Sequence, residues 1–484
     1  MIKAHYYAWL GDDSDRALQL VEEGFAIAEE TGVHVVDSFL AIQGAFSTLN
    51  MGDEGEVLRY AKKLEATLQP GRRYIVFYHY ILAMRCLLIE KNTEALAHGM
   101  RMLELCIESG LPFLEARART KISQAYYEIG DIASAESELS ASEEFFRQVR
   151  SPYFQFTTFL VRAYFFFGQG KESEGLEILR ESFRLGQKNG YTYTASMFRP
   201  KVWAILCAKA LIEGIEVEYT QQLIRKRRLV PPLPAAEHES WPWPVKIYTL
   251  GRFEVLIDGK RLEFSGKAPR RIISLLKALI ACGTKGACEE NMIDILWPDS
   301  DGDAAHDSFS VALHRLRQFL GKEKALHLRD GCLGLDPRIC WIDSHAFEEL
   351  LIIGETAAPE EAERLTIKAL KLYNGPFLED SPEPWAISTR ERLRGRYLRA
   401  IRRSGEEFEI AGNYDRSAIL YEKGLEADPL VEELYRCLMR CRQAAGQTSE
   451  AVAVYSRCKY ILRSVLGVEP SKETRELFRA LTGK

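Results

Sequence analysis

Residues Ala116–Leu139, ARARTKISQAYYEIGDIASAESEL, hold two amphipathic stretches either side of the turn Ile129-Gly130-Asp131. Similar turns recur at Leu10-Gly11-Asp12-Asp13, Met51-Gly52-Asp53, Glu90-Lys91-Asn92 and Gly168-Gln169-Gly170. Measured between Gly11, Gly52, Lys91, Gly130 and Gly170, the steps are 41, 39, 39 and 40 residues. After each turn, small and apolar residues fall at helical packing positions: Ala17, Leu18 and Val21; Val57, Tyr60 and Ala61; Ala95, Leu96 and Met100; Ala133, Ala135 and Leu139. A helix–turn–helix unit repeated at a fixed period cannot bury its apolar face alone, so the pattern predicts an α-solenoid in which each unit packs on the next.

The steps exceed the 34 residues of a standard tetratricopeptide repeat, which makes these units its long-helix relatives. Around this core the composition is that of a globular protein: 484 residues, 46% hydrophobic, 27% charged, net charge −5. The length suggests about two to four domains. The start, MIKAHYYAWLGDD, has no basic segment followed by an apolar one, and Tyr74–Ile89 is interrupted by His79 and Arg85. Neither a signal peptide nor a membrane span is expected. Ten cysteines without a C-x-x-C pair fit a reducing, cytoplasmic setting. No G-x-x-x-x-G-K-[ST] loop, H-E-x-x-H pair or nucleophile–base pair stands out, so no catalytic residue, cofactor or metal is expected. The aromatic run Tyr153, Phe154, Phe156, Phe159, Tyr164, Phe165, Phe166 and Phe167 reads either as a concave groove for a small ligand or peptide, or as inter-repeat core.

The solenoid is expected over 1–228, ending at the basic run Arg225-Lys226-Arg227-Arg228, which suits a solvated helix C-terminus. Five prolines between Pro231 and Pro244 forbid helix and predict an extended linker over 229–244. From Val245 the period changes to two: Lys246–Leu250, Arg252–Ile257 and Leu262–Phe264 are strand-like, with a hairpin signal at Asp258-Gly259. Helices are expected over Ala268–Ala281, Glu289–Trp297 and Asp303–Leu320, then strands over Ala325–Arg329 and Cys332–Leu335. In the third helix Phe309, Leu313, Leu316 and Leu320 share one face. Asp307, Val311, His314, Arg315 and Gln318 lie opposite, with Ser308, Ser310 and Arg317 on the shoulders. Arg can pair with guanine, Gln with adenine and a valine methyl with thymine in the major groove, while Ser and flanking Arg suit phosphates.

The strings Leu250-Gly251-Arg252-Phe253-Glu254-Val255, Ile295-Leu296-Trp297-Pro298 and Val311-Ala312-Leu313-His314-Arg315-Leu316-Arg317-Gln318-Phe319-Leu320-Gly321 together resemble an OmpR-type winged helix, in the form found in SARP-like transcriptional activators. Further on, Leu372-Tyr373-Asn374-Gly375-Pro376-Phe377, Trp385, Asp428-Pro429-Leu430 and Leu466-Gly467-Val468-Glu469-Pro470-Ser471 resemble the bacterial transcriptional activator domain. Gly412-Asn413-Tyr414 and Gly446-Gln447-Thr448 lie 34 residues apart, the tetratricopeptide period. The resemblance covers 245–484 and implies a winged helix over 245–343 and a tetratricopeptide-like all-α activator domain over 344–484. A solenoid ahead of it resembles MalT-type regulators, whose nucleotide-binding module is missing here. The chain is then a shortened form or fragment, or senses its signal without nucleotide.

The expected fold class is therefore mostly α, with an α+β winged helix between two helical regions. The resemblance implies sequence-specific binding of double-stranded DNA, recruitment of RNA polymerase, pairing as a homodimer on DNA, and an unknown inducer or protein partner at the solenoid. It places Val311, His314, Arg315 and Arg317 at the DNA-reading surface and Arg329 in the wing. Lys267, Arg270 and Arg271 fall at phosphates, joined on residue chemistry by Ser308 and Ser310, while Gln318 suits an adenine edge. Against this stands charge: residues 245–343 carry 15 Lys and Arg against 14 Asp and Glu, with Asp299, Asp301, Asp303 and Asp307 beside the reading helix. An interaction scaffold whose winged helix docks protein remains the alternative. The arginines at 390, 392, 394, 396, 399, 402 and 403 read either as a DNA or polymerase contact or as a solvated helix paired with Glu391, Glu406 and Glu407. Cys437, Cys441 and Cys458 read as helix packing or as a metal or redox cluster.

Overall fold

The computed structural model describes residues 1–9, 13–68, 74–192, 199–263, 269–298, 302–321, 325–329 and 332–482. The chain divides into two compact units, Met1–Pro232 and Leu233–Lys484.

The first unit is helical: α1 (Ile2–Trp9), α2 (Ser14–Thr31), α3 (Asp37–Met51), α4 (Glu54–Ala66), α5 (Tyr74–Leu88), α6 (Asn92–Glu108), α7 (Pro112–Glu128), α8 (Ile132–Gln148), α9 (Pro152–Gly168), α10 (Glu172–Asn189), α11 (Pro200–Ile212) and α12 (Val217–Arg227). Each helix packs on the next, and the odd-numbered helices also pack on one another from α1 to α11, forming the inner layer of an α-solenoid. The recurring turns are built by recurring chemistry. The side chains of Asp13, Asp53 and Asp131 each accept the backbone N–H three residues on, capping the helix that follows. The marker turn at residues 10–12 lies outside the described residues. The period also appears in the core: the buried Ser142 hydroxyl donates to the Ala116 carbonyl at 2.8 Å, and 40 residues on the Ser182 hydroxyl donates to Phe156 at 3.0 Å.

The aromatic run of α9 is core. Phe154, Phe156 and Phe165 are buried and none of the eight is exposed. Phe154 stacks on Phe146 at 4.6 Å and Phe165 on Tyr127 at 4.1 Å. The basic run closes α12, where Arg227 donates to the Thr192 carbonyl.

The second unit opens with a 3-10 turn, Ala235–Glu237, and strands β1 (Val245–Tyr248), β2 (Glu254–Ile257) and β3 (Lys260–Arg261). There follow α13 (Pro269–Ala281), β4 (Ala287–Cys288), α14 (Glu289–Leu296), α15 (Gly302–Leu320), β5 (Leu326–Arg329), β6 (Cys332–Leu335) and β7 (Cys340–Ile342). The sheets run β3-β2-β1-β7 and β4-β6-β5. Helices α16 (Asp343–Thr356), α17 (Pro359–Leu372), α18 (Pro384–Ile410), α19 (Tyr414–Ala427), α20 (Glu432–Ala444), α21 (Thr448–Leu466) and α22 (Lys472–Thr482) complete it.

Three expectations are corrected. The proline-rich segment is not free spacer as far as residue 244: Trp241 and Trp243 are buried, and Glu237 pairs with Arg364 at 2.6 Å and Lys368 at 3.1 Å. Proline excludes helix but leaves large indoles free to pack. The third strand of the first sheet falls at Lys260–Arg261 rather than starting at Leu262, because the Asp258-Gly259 hairpin is tight and returns the chain at once; Phe264 lies outside the described residues. In α15 the buried face includes Ala312 in place of Leu313, which is half-buried.

Both units use one helix crossing. Gly44 on α3 faces the ring of Tyr60 on α4, and Gly405 on α18 faces the ring of Tyr421 on α19, so that an added Cβ would fall inside either ring. Each tyrosine hydroxyl donates to a glutamate at 2.5 Å, Glu22 and Glu409 respectively. Gly44→Ala and Gly405→Ala should each destabilise their unit by about 1–3 kcal/mol through overpacking. Gly395→Ala, on a half-buried stretch of α18 where the added Cβ meets only the end of Arg399, should stabilise by roughly 0.5–1 kcal/mol through helix propensity. Urea unfolding of the three variants reads the sign directly.

Candidate nucleic-acid interface

Helix α15 presents the predicted stripe. Ala305, Phe309, Ala312, Leu316 and Leu320 are buried, the last four at i, i+3, i+7 and i+11 of one packed face. Ser310, Val311, His314, Arg315 and Gln318 are exposed, and Ser308 and Arg317 are half-buried at the margins. Val311 is 50% exposed, an apolar side chain left in solvent midway along the stripe. The Gln318 amide lies 3.1 Å from the His314 ring, which orients both toward the same side. Trp297 packs edge-on against Phe309, fixing the helix from beneath.

Arg270 and Arg271 are exposed in the first turn of α13. Arg271, Ser308, Val311 and Arg315 line one cleft with Trp297 and Asp307. Sequence reading missed Trp297 as a member of this site. Its indole N–H is buried without an acceptor, a donor in want of one beside two arginines. The signal available was the Trp-Pro pair closing α14, which reads equally well as core. Of the other predicted contacts, Lys267 lies outside the described residues and Arg329 is described only by its backbone, in β5. Asp299 and Asp301 also lie outside them, while Asp303 and Asp307 are exposed on α15.

Ion pairing separates two sets of arginines. In α18, Arg392 and Arg396 pair with Glu348, Arg394 with Glu391 and Asp428, Arg402 with Glu406 and Glu433, and Arg403 with Glu407. Arg390 donates to the carbonyls of Phe377, Leu378 and Ser381. Of the seven arginines only Arg399 has no such partner among the described residues. Arg270, Arg271, Arg315 and Arg317 have no carboxylate within ion-pairing distance among the described residues.

Residues 342–482 match the family model described as the bacterial transcriptional activator domain. The chain is 28% identical over 235 residues to regulatory protein AfsR of Streptomyces griseus, covering 45% of this chain and 23% of that one. It is 27% identical over 252 residues to AfsR of Streptomyces coelicolor, covering 51% and 25%. It therefore spans about a quarter of the length of these curated relatives. A structure of Mycobacterium tuberculosis EmbR in complex with a low-affinity phosphopeptide aligns at 22% identity with a TM-score of 0.40, over 50% of this chain and 65% of that chain. The chain is similar to the SARP-like bacterial transcriptional activators.

In this SARP-like chain the winged helix and the activator helices share a seam. The buried Asp343 carboxylate, at the start of α16, accepts the backbone N–H groups of Thr249 and Leu250 at 2.8 and 2.9 Å, the Thr249 hydroxyl at 2.6 Å and its neighbour Ser344 N–H at 2.7 Å. Leu250 bridges to Phe377 and the Leu378 N–H donates to the Thr249 carbonyl. Gly251, at φ +81°, lies where a Cβ would meet the Asn374 carbonyl oxygen at 2.5 Å, so only glycine allows this approach. Cys437, Cys441 and Cys458 are buried, and burial pushes the Cys441 and Cys458 thiols up to about 12, which makes them packing groups.

The solenoid of this SARP-like chain holds cations in its inner layer. Arg117 on α7 is 5% exposed, and its Nε and Nη2 have no acceptor. Its guanidinium lies 4.5 Å from the Tyr80 ring, 5.2 Å from Trp9 and 5.5 Å from Phe154. One turn on, Lys121 is buried, and burial together with the Arg117 and Arg199 charges holds its amine well below the usual lysine range.

Two stability predictions follow from these buried charges. Burial pushes the Asp343 carboxyl up to about 6, with its donors pulling the other way. The folded state then binds the proton more tightly than the unfolded chain, whose carboxyl titrates near about 3.9. The resulting stability is full below that value and is lost as pH rises through 6. The stability of wild type relative to Asp343→Asn should fall by about 2 kcal/mol from pH 4 to pH 7 in denaturant melts. Arg117→Met should raise the stability of the first unit by about 1–4 kcal/mol, since an apolar side chain replaces a buried unpaired charge. Thermal unfolding of the full chain reads it.

Proposed function

We propose that this chain is a non-catalytic transcriptional regulator that reads duplex DNA with α15. In this reading α15 lies in the major groove with Val311, His314, Arg315 and Gln318 toward base edges. Arg270, Arg271, Ser308, Ser310 and Arg317 hold phosphates, with Lys267 in the same role and the wing residue Arg329 in the minor groove. The activator helices 344–484 contact RNA polymerase, two copies pair on repeated sites, and the protein works in the cytoplasm. No helix among the described residues is long and apolar enough to cross a membrane. The observation that carries the reading is the gathering of Arg271, Ser308, Arg315 and the unpartnered Trp297 N–H at one cleft, with neither arginine neutralised.

The solenoid 1–228 is the sensing arm for an inducer or partner, joined to 245–343 through residues 229–244. Its buried, acceptor-poor Arg117 supports this, because a unit kept only for packing gains nothing from it. The scaffold reading, in which the winged helix docks protein, is favoured by one observation. The exposed Asp303 and Asp307 share α15 with the basic residues, and residues 245–343 are nearly neutral.

Selection from random duplex DNA on the full chain at about 150 mM salt separates the two. A recovered repeated motif, with Arg315→Ala losing roughly 1–3 kcal/mol of discrimination at one position, is the expected result. Arg271→Ala should weaken binding to all sequences alike and lower the salt slope by about one. Binding that is indifferent to sequence would establish the scaffold reading.

A further inference from the structure

Cys288 and Cys332 face each other across the small sheet at the base of the wing. They are directly opposed in the β4–β6 antiparallel ladder, and their Sγ atoms lie 3.8 Å apart. Directly opposed residues on antiparallel strands have Cα atoms about 4.5–5.5 Å apart, inside the roughly 4.4–6.8 Å that a disulfide spans. Only the sulfurs must therefore move to bond. The approach is built into the backbone: Gly286 sits at φ +75°, where a Cβ would collide with the Leu333 carbonyl. Cys288 is exposed and Cys332 half-exposed, whereas Cys86, Cys106, Cys207, Cys340, Cys437, Cys441 and Cys458 are buried. The described residues bring no third His, Cys, Asp or Glu to the pair in a metal-holding group.

We propose that Cys288 and Cys332 form a redox-reactive dithiol that a peroxide-class oxidant converts to an intramolecular disulfide. One thiolate attacks the O–O bond, forming sulfenic acid and releasing water once the leaving hydroxide takes up the thiol proton. The second thiolate then displaces hydroxide from that sulfur, forming the S–S bond as a second water leaves. Two thiols and one hydrogen peroxide give one disulfide and two waters, and a dithiol reductant reverses the change. In a reducing compartment the resting form is the dithiol, so the bond forms only under oxidant. The 44-residue span it closes contains all of α14, α15 and β5. Oxidation thus ties off α14, α15 and the wing strand β5 at their base.

Hydrogen peroxide titration of the full chain, quenched by alkylation and mapped by mass spectrometry, tests this. The expected product is a Cys288–Cys332 cross-linked peptide lighter by two hydrogens, formed without dimers and lost on adding dithiothreitol. Cys288→Ser and Cys332→Ser should each abolish it, and Cys282→Ser, at the other described exposed cysteine, should leave it intact. The oxidised chain should melt several degrees higher, because the cross-link restricts the unfolded state. Separate oxidation of the two thiols to sulfinic acids, or cross-links through Cys282 or between molecules, would overturn the proposal. Duplex DNA binding is measured separately on both forms, so a chain that reads no DNA leaves the disulfide result standing.

Discussion

The buried carboxylate of Asp343 is the group on which the second unit is assembled. It lies where β7 ends and α16 begins, and it gathers two backbone N–H groups and a hydroxyl from the end of β1. Burying such a charge without donors would cost several kcal/mol, so its donors and the register they impose are not optional. That register is the parallel pairing of Val245 with Cys340 and of Ile247 with Ile342. It brings the strand following the wing back beside the first strand of the winged helix. The Leu250–Phe377 bridge and the glycine contact at Gly251 extend the same seam into the loop before α18. A second set of bonds crosses on the far side of α13: Lys277 to Ser381 at 3.0 Å and the His345 ring to the Ile280 carbonyl at 2.8 Å. The helix that carries Arg270 and Arg271 is thus held by the activator helices at its C-terminal end, leaving its first turn exposed.

Charge counting and charge pairing give different answers for this protein. A near-balance of 15 cations and 14 anions over 245–343 argues against an electrostatic surface. The arginine-dense α18, by count, argues for one. The geometry reverses both. Arg394, Arg402 and Arg403 meet Glu391, Glu406 and Glu407 on their own helix at i−3 or i+4, which helical spacing makes almost unavoidable. Exposed pairs of this kind contribute little stability, but they do remove charge from what a partner meets. On α13 and α15 the carboxylates fall elsewhere: Glu289 takes His306, and Arg315 and Arg271 keep their charge.

How much was legible in the sequence follows from how each feature is encoded. The solenoid was legible because its period is written several times over, in capping aspartates and in hydroxyls such as Ser142 and Ser182 that repeat with it. The exposed face of α15 was legible because helical geometry alone places Val311, His314, Arg315 and Gln318 together. The strands β4 and β7 were not. Two and three residues long, with Cys340, Trp341 and Ile342 all buried, they offer no alternation to detect. Asp343 was invisible for a related reason: one aspartate after a short apolar run carries no spacing signal, and its role depends on a strand nearly a hundred residues earlier. The proline-rich segment misled because proline reports only what the backbone cannot do, while Trp241 and Trp243 decide where it packs.

Both units solve helix packing in the same way, with a glycine under a tyrosine whose hydroxyl donates to a glutamate, so packing alone does not distinguish them. What distinguishes positions is where each unit breaks the rules that packing would impose. In the first unit one such exception is the Arg117 guanidinium, whose buried Nε and Nη2 have no acceptor, set among Trp9, Tyr80 and Phe154, with a buried lysine one turn away. In the second one is the Trp297 indole N–H without an acceptor, next to two arginines that have no ion pair among the described residues. Each exception costs stability that an apolar substitution would recover, and in each the missing group is of the same kind, an acceptor or an anion. The Asp343 carboxylate at the main seam is the opposite case, satisfied several times over by donors from Thr249, Leu250 and Ser344, so its burial is compensated where theirs is not.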